Sequence, residues 1–143
     1  IGLINKGDHL FKNYSLQIKK RKPILKIYGT NYNTKDGSCV RDFIHVSDIA
    51  EIHKKVLDKI NKVNKSKIFN CGYSKGISVK QVANEFKKYA NKKTKIIEAP
   101  RRQGDLVHII AITNNLRKFI NWKPKYNNLK LMVKSSISWE KKL

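Results

Sequence analysis

At 143 residues, 40% of them hydrophobic, the chain is the size of one domain and has enough apolar side chains to bury a core, which excludes a disordered tail. The formal net charge of +22 would ordinarily point to a polyanion. Here, however, the basic residues recur along the whole length, from Lys19, Lys20, Arg21 and Lys22 through Lys62, Lys65 and Lys67 to Lys92, Lys93, Lys95, Lys141 and Lys142. There is no interleaving of aromatics and no binding motif, so a solvated lysine surface is expected and a nucleic-acid partner is not.

Taken in chain order, residues 9–20 place Leu10, Phe11, Tyr14 and Ile18 near helical spacing, which predicts a helix stopped by a basic turn and Pro23. Residues 24–28 read as a strand. Around residue 41, a short apolar strand is followed by an acid, an aromatic and a helix start. Ser47 is the expected cap of a helix whose inward positions are Ile49, Ile52, His53, Val56, Leu57 and Ile60. Residues 67–71 read as a short strand ending at Gly72. Ser78 with Gln81 three residues on forms a capping box, flanked by Ile77 and Val82 as a staple, and the helix it opens presents Val79, Val82, Ala83, Phe86 and Ala90 inward. Residues 95–98 form a further strand, Thr113 caps a helix to Ile120, and Asn128 caps a last helix carrying Leu129, Met132, Val133, Ser136 and Ile137. Strands and helices alternate, so the class is α/β.

Cys39 and Cys71 match neither a CxxC pair nor a zinc spacing, and each reads as a small core residue of a reduced, cytoplasmic protein. No run approaches about 18 apolar residues, and nothing at the start combines a basic with an apolar region, so neither a membrane span nor a signal peptide is expected. His45 and His53 read as core or boundary residues, and no metal site is predicted. The start at Ile1 instead of Met suggests that an N-terminal part is missing.

Only five of the 32 basic residues are arginines, so each asks for a role that lysine could not fill. A planar, bidentate, permanently charged fork suits phosphate. Arg41, held at a strand edge, fits that role and fits an internal salt bridge with Asp36, Asp42 or Asp48 equally well. In APRRQGD, residues 99–105, Pro100 stiffens the entry, Gly104 permits a tight turn and Asp105 can accept hydrogen bonds from a ribose. Paired arginines in a loop also occur as plain surface. By pattern alone, Tyr28 and Val79 are core residues.

YGTNYNTKDGSCVRDFIHVSDIAEIH, then IFNCGYSKGISVKQV, APRRQGD and NWKPKY follow the order and approximate spacing of the C-terminal half of UDP-glucose 4-epimerases, and from about residue 9 onward the chain resembles that family. The resemblance implies the C-terminal substrate-binding portion, residues 1–143, of an extended short-chain dehydrogenase/reductase that takes UDP-glucose or UDP-galactose. It assigns Arg41 and Arg102 to the diphosphate and Asp105 to the uridine ribose. Tyr28 and the backbone of Lys26 would line the uracil slot, with Phe43 beside Arg41 and Val79 on the apolar side. His9 and Leu10 would lie near the diphosphate at the first helix N-terminus. Ile109 stands where members commonly carry a residue that shapes the sugar pocket, which opens the hexose preference, and Phe43 stands where tyrosine is frequent.

The family's NAD loop, GxxGxxG, and its catalytic Tyr-x-x-x-Lys with a partner Ser or Thr are not found. Tyr89 with Lys93 and Tyr126 with Lys130 have that spacing but fall outside the family's position. In the family those elements hold NAD and take the sugar hydroxyl proton while hydride moves to the cofactor and back. The resemblance therefore implies a separate N-terminal Rossmann half onto which about residues 46–72 pack, an apolar face exposed without it, no activity of this chain alone, and a homodimer. Two alternatives stand beside it: another sugar-nucleotide epimerase or dehydratase of the same fold, and a basic nucleic-acid-binding module.

Overall fold

The computed structural model describes residues 9–60 and 65–142. The elements in order are α1 Leu10–Ile18, β1 Ile24–Tyr28, β2 Val40–Arg41, α2 Val46–Ile60, β3 Ile77–Ser78, α3 Val79–Lys87, β4 Lys95–Ala99, β5 His108–Ile109, α4 Asn114–Ile120 and α5 Leu129–Lys142. The class is α/β, with β1 and β4 in one parallel pair and a second sheet of order β3-β2-β5.

The chain divides into two compact units. One comprises residues up to Cys39, Ser78–Val107 and Leu129 onward; the other comprises Val40–Ile77 and His108–Asn128. In the first, α1 and α3 pack on α5 and on β1. Leu25 and Ile27 on the inner face of β1, Val82 and Phe86 of α3 and Val133 of α5 are fully buried. Phe11 and Tyr14 of α1 set their rings edge-on to Phe86, at 5.4 and 5.5 Å between centroids, an arrangement that places ring edges against a ring face. Two polar ties cross between α1 and α5: Ser15 Oγ with Ser136 Oγ at 2.8 Å, and Lys19 Nζ donating to the Glu140 carbonyl at 2.6 Å. The capping box forms as its spacing predicts. Ser78 Oγ accepts from the Gln81 amide at 3.0 Å and Gln81 Oε1 accepts from the Ser78 amide at 2.8 Å.

In the second unit α2 packs on α4, and the helix starts differ from the sequence reading. Val46, not Ser47, opens α2. The capping atom is His45 Nδ1, which accepts from the Ser47 amide at 3.1 Å, while the His45 carbonyl accepts from the Asp48 and Ile49 amides. Thr113 precedes α4 without a capping hydrogen bond; its hydroxyl instead pairs with Ser74 Oγ at 2.8 Å and accepts from Arg117 Nε at 3.0 Å.

Residues 67–71 form no strand. A strand exists only through a ladder, and among the described residues this segment has no pairing partner; Ile68 is 96% exposed. The expected inner face of α2 is likewise buried only in part. Ile52 is buried and Ile49 and Val56 are half-buried, but His53, Leu57 and Ile60 face outward. Cys39 is a core residue as expected, whereas Cys71 is exposed because it lies on the unpaired segment.

Candidate functional site

The unit holding β1 carries a groove of about 820 Å³ whose lining includes Leu10, Tyr14, Lys26, Tyr28 and Arg102. Its floor follows from parallel pairing. The Lys95 amide donates to the Pro23 carbonyl at 3.0 Å and the Gly29 amide to the Ala99 carbonyl at 2.8 Å, so the odd-numbered peptide groups of β1 turn to β4. Those of Ile24, Lys26 and Tyr28 turn the other way, to the groove. Among the described residues β1 has no second neighbouring strand. Tyr14 takes part of that free edge by donating its hydroxyl to the Lys26 carbonyl at 2.6 Å. Burial pushes the Tyr14 phenol well above its usual value, against an opposing pull from Arg102, so it remains a donor.

The two arginines of APRRQGD part company. Arg101 lies 4.1 Å over the Tyr32 ring and donates Nε to Asn31 Oδ1 at 2.8 Å and a second N–H to the Asn31 carbonyl. Arg102 turns into the groove, with its guanidinium 3.9 Å over the Tyr28 ring, a cation–π placement. The chain then reverses through Gly104 at φ +80°, a conformation that side chains disfavour, and the Asp105 amide closes the turn on the Arg102 carbonyl at 3.3 Å. Leu10, Lys26, Tyr28 and Arg102 are thus together in one groove. His9 at the start of α1, Val79 at the start of α3 and Asp105 on the turn do not line it. Tyr28 is half-buried at the groove wall and not in the core that its residue type suggests; it shares the strand face of Ile24 and Lys26, opposite the buried Leu25 and Ile27.

On the other unit, Arg41 of β2 stands opposite Ile109 of β5 in a parallel register, with Phe43 two residues on. Arg41 donates an N–H to the Val40 carbonyl at 2.9 Å. The three acids that could have paired with it are engaged by amides and hydroxyls. Asp42 accepts from the Tyr73, Ser74 and Ala111 amides at 2.9, 2.8 and 3.3 Å. Asp48 accepts from the Tyr73 hydroxyl at 2.6 Å and the Lys125 and Tyr126 amides at 3.0 and 2.9 Å. Asp36, in the β1 unit, accepts from Ser38 and, at 2.5 Å, from Ser78 Oγ. Burial alone would raise Asp36, but these hydrogen bonds outweigh it and hold the carboxyl below its usual value. Gly72 is required beside Asp42, since a Cβ there would come within 2.5 Å of Asp42 Oδ2 and 2.6 Å of Ala111 Cβ.

Pattern reading missed Tyr14 as a groove residue, because its spacing identifies only a helix face, and missed Asp48 as the anchor of the NWKPKY segment. For Asp48 the available signal was an acid in the first turn of a helix followed by an inward face.

The model of the NAD dependent epimerase/dehydratase family matches residues 4–72. The chain is 37% identical over 137 residues to the UDP-glucose 4-epimerase of Azospirillum brasilense, across 96% of this chain and 39% of that relative. It superposes on the UDP-Glc/GlcNAc 4-epimerase of Campylobacter jejuni with a TM-score of 0.83 and 41% identity, across 96% of this chain and 42% of that one. The chain belongs to the NAD dependent epimerase/dehydratase family. It spans about two fifths of the length of the relatives it matches. The UDP-glucose 4-epimerase of Bifidobacterium longum, solved in complex with NAD+ and UDP, is 30% identical with a TM-score of 0.80, across 94% of this chain and 39% of that one.

Within this epimerase/dehydratase chain the β2–α2 junction carries a residue sensitive to pH. His45 is buried and stacks on Tyr126 at 4.7 Å between centroids. Burial lowers its imidazole below the usual value, with Asp48 pulling the other way, and only the neutral ring can accept from the Ser47 amide. The unfolded chain therefore takes up this proton first, at about pH 6.5. The stability is fully present above that value and is lost as pH falls through the folded-state value. Melting temperature should drop as pH is lowered from about 7 to 5, and His45→Asn, which keeps an acceptor at the cap but cannot titrate, should flatten the slope. Parallel slopes in the two proteins would assign the effect to another group. Among the described residues no cluster of His, Cys, Asp and Glu could hold a metal ion, and no helix is long and apolar enough to cross a membrane.

Proposed function

We propose that this chain is the C-terminal, UDP-sugar-binding part of a UDP-glucose 4-epimerase that interconverts UDP-glucose and UDP-galactose. The observation that carries the reading is the groove in which Arg102 lies on Tyr28 beside the free peptide edge of β1. Uracil presents an imide N–H between two carbonyls, a pattern complementary to the alternating N–H and C=O of such an edge at Lys26, and its ring matches an aromatic wall at Tyr28. Arg102 then takes a phosphate and Asp105 the ribose hydroxyls, with Leu10 and His9 at the start of α1 toward the diphosphate. Arg41 is the second phosphate ligand, with Phe43 against the nucleotide, Val79 on its apolar side and Ile109 at the sugar.

NAD is the family's cofactor and supplies the transient hydride acceptor when bound. Among the described residues no glycine-rich turn joins a strand to a helix, the arrangement that seats a dinucleotide phosphate, so no step through NAD is assigned to this chain. We place the NAD site and the acid/base groups on the N-terminal Rossmann half, expect no turnover from these residues alone, and assign about residues 46–72 to the contact with that half. The outward-facing Val46, Leu57, Ile60 and Ile68 support this contact. A homodimer in the cytoplasm completes the reading.

The Ile109 position favours a second reading within the same fold, a 4-epimerase with a wider sugar range. Incubating the full-length protein and NAD with UDP-glucose, UDP-N-acetylglucosamine and UDP-pentoses should give the 4-epimer of at least the first. Conversion of none of them would refute the assignment, and conversion of the others without UDP-glucose would select the second reading.

A further inference from the structure

The groove continues past its nucleotide end. Beyond Lys26 and Arg102 its lining adds Lys19, Lys20 and Lys22, and among the described residues no carboxylate lines it. The three lysines lie where α1 has ended and the chain turns through Pro23 into β1. Lys19 is held there by its bond to the Glu140 carbonyl, and Lys20 and Lys22 are exposed. A concave surface lined by charge of one sign concentrates field lines, and such a cleft raises the encounter rate of an oppositely charged ligand by about 10- to 1000-fold, an effect that salt removes.

We propose that Lys19, Lys20 and Lys22 form an approach track that draws nucleoside diphosphate ligands along the groove to Arg102 and contributes to association rate without contacting the ligand in its final position. This rests on the UDP-binding reading of the same groove. It also gives part of the +22 charge a function that scattered surface lysines do not have, because only lysines lining the groove are directed at the site.

The test compares two triple variants of the full-length protein with the same change in charge: Lys19, Lys20 and Lys22 to Gln, and Lys92, Lys93 and Lys142 to Gln, none of which lines the groove. With UDP as the probe in stopped-flow binding at low ionic strength, the first triple should lower the association rate constant about tenfold and leave dissociation unchanged. The second should lower it less than about twofold, and the difference should vanish as salt rises to about 0.5 M. Equal reductions in both triples would assign the effect to overall charge and overturn the track, as would an unchanged association rate in the first. Absence of UDP binding by the unaltered protein would overturn the nucleotide reading and the track together, whereas tight binding with indifferent rates would overturn the track alone.

Discussion

Asp48→Ala is expected to destabilise the full-length protein by about 4 kcal/mol, the largest effect of any single polar substitution among the described residues. Asp48 has no exposed surface, and its two oxygens accept from the Tyr73 hydroxyl and from the Lys125 and Tyr126 amides. Alanine removes all three acceptor contacts at once and strands buried donors, each costing about 1 to 3 kcal/mol when left unmade. Burial and the bond to Asp48 push the Tyr73 phenol well above its usual value, so it stays a donor throughout the working range. It receives the His45 amide at 3.1 Å in turn, and the loss should spread to the α2 cap. Asp48→Asn, isosteric but able to accept at only one oxygen, should cost about half as much, and Tyr73→Phe about 1 to 2 kcal/mol. Urea denaturation checks the order. If Ala and Asn were equally mild, below about 1 kcal/mol, water would be replacing the carboxylate and the network would not hold α2 to the 122–126 segment.

Arg102→Ala and Arg41→Ala should each weaken UDP binding by about 1.5 to 3 kcal/mol, roughly 10- to 150-fold in Kd. The expectation follows from charge-assisted bonds to phosphate, which exceed neutral ones. Lysine at either position should recover the Coulomb part only, because an ammonium cannot make the planar two-point contact. For Arg102 the stacking on Tyr28 adds a second loss, so Tyr28→Leu should weaken UDP binding by removing both the ring beneath the guanidinium and the aromatic wall. Arg101→Ala is the contrast. Its guanidinium is engaged with Asn31 and Tyr32, so it should alter loop stability more than affinity. Calorimetric titration of the full-length protein with UDP separates these outcomes, and unchanged affinity in both Arg41→Ala and Arg102→Ala would remove the diphosphate assignment.

Local signals in the chain were readable where one element decides the outcome. Residues 24–28 alternate and form β1 as expected, the Ser78 and Gln81 pair caps α3 atom for atom, and the apolar steps of α1 and α5 give helices. The signals failed where a distant partner decides. Residues 67–71 have strand composition and no ladder, and the apolar stripe of α2 is buried only around Ile52. Ser47 has the stronger capping propensity, but His45 is fixed by stacking on Tyr126 and offers its nitrogen two residues earlier. Tyr14 shows the same limit. Its period places it on a helix face, and only the fold brings its hydroxyl to the Lys26 carbonyl.

The sequence by itself determined the α/β class, the family through four motifs in order, and the two arginine segments, because these reside in residue type and short spacing. The tertiary structure decided which arginine of APRRQGD faces a groove and which is tied to the distant Asn31–Tyr32 segment, and that Asp42 and Asp48 accept from backbone amides. It also decided that Tyr28 is a wall and not core. Each of these depends on which groups a folded chain brings within about 4 Å, a distance set by packing among elements far apart in sequence.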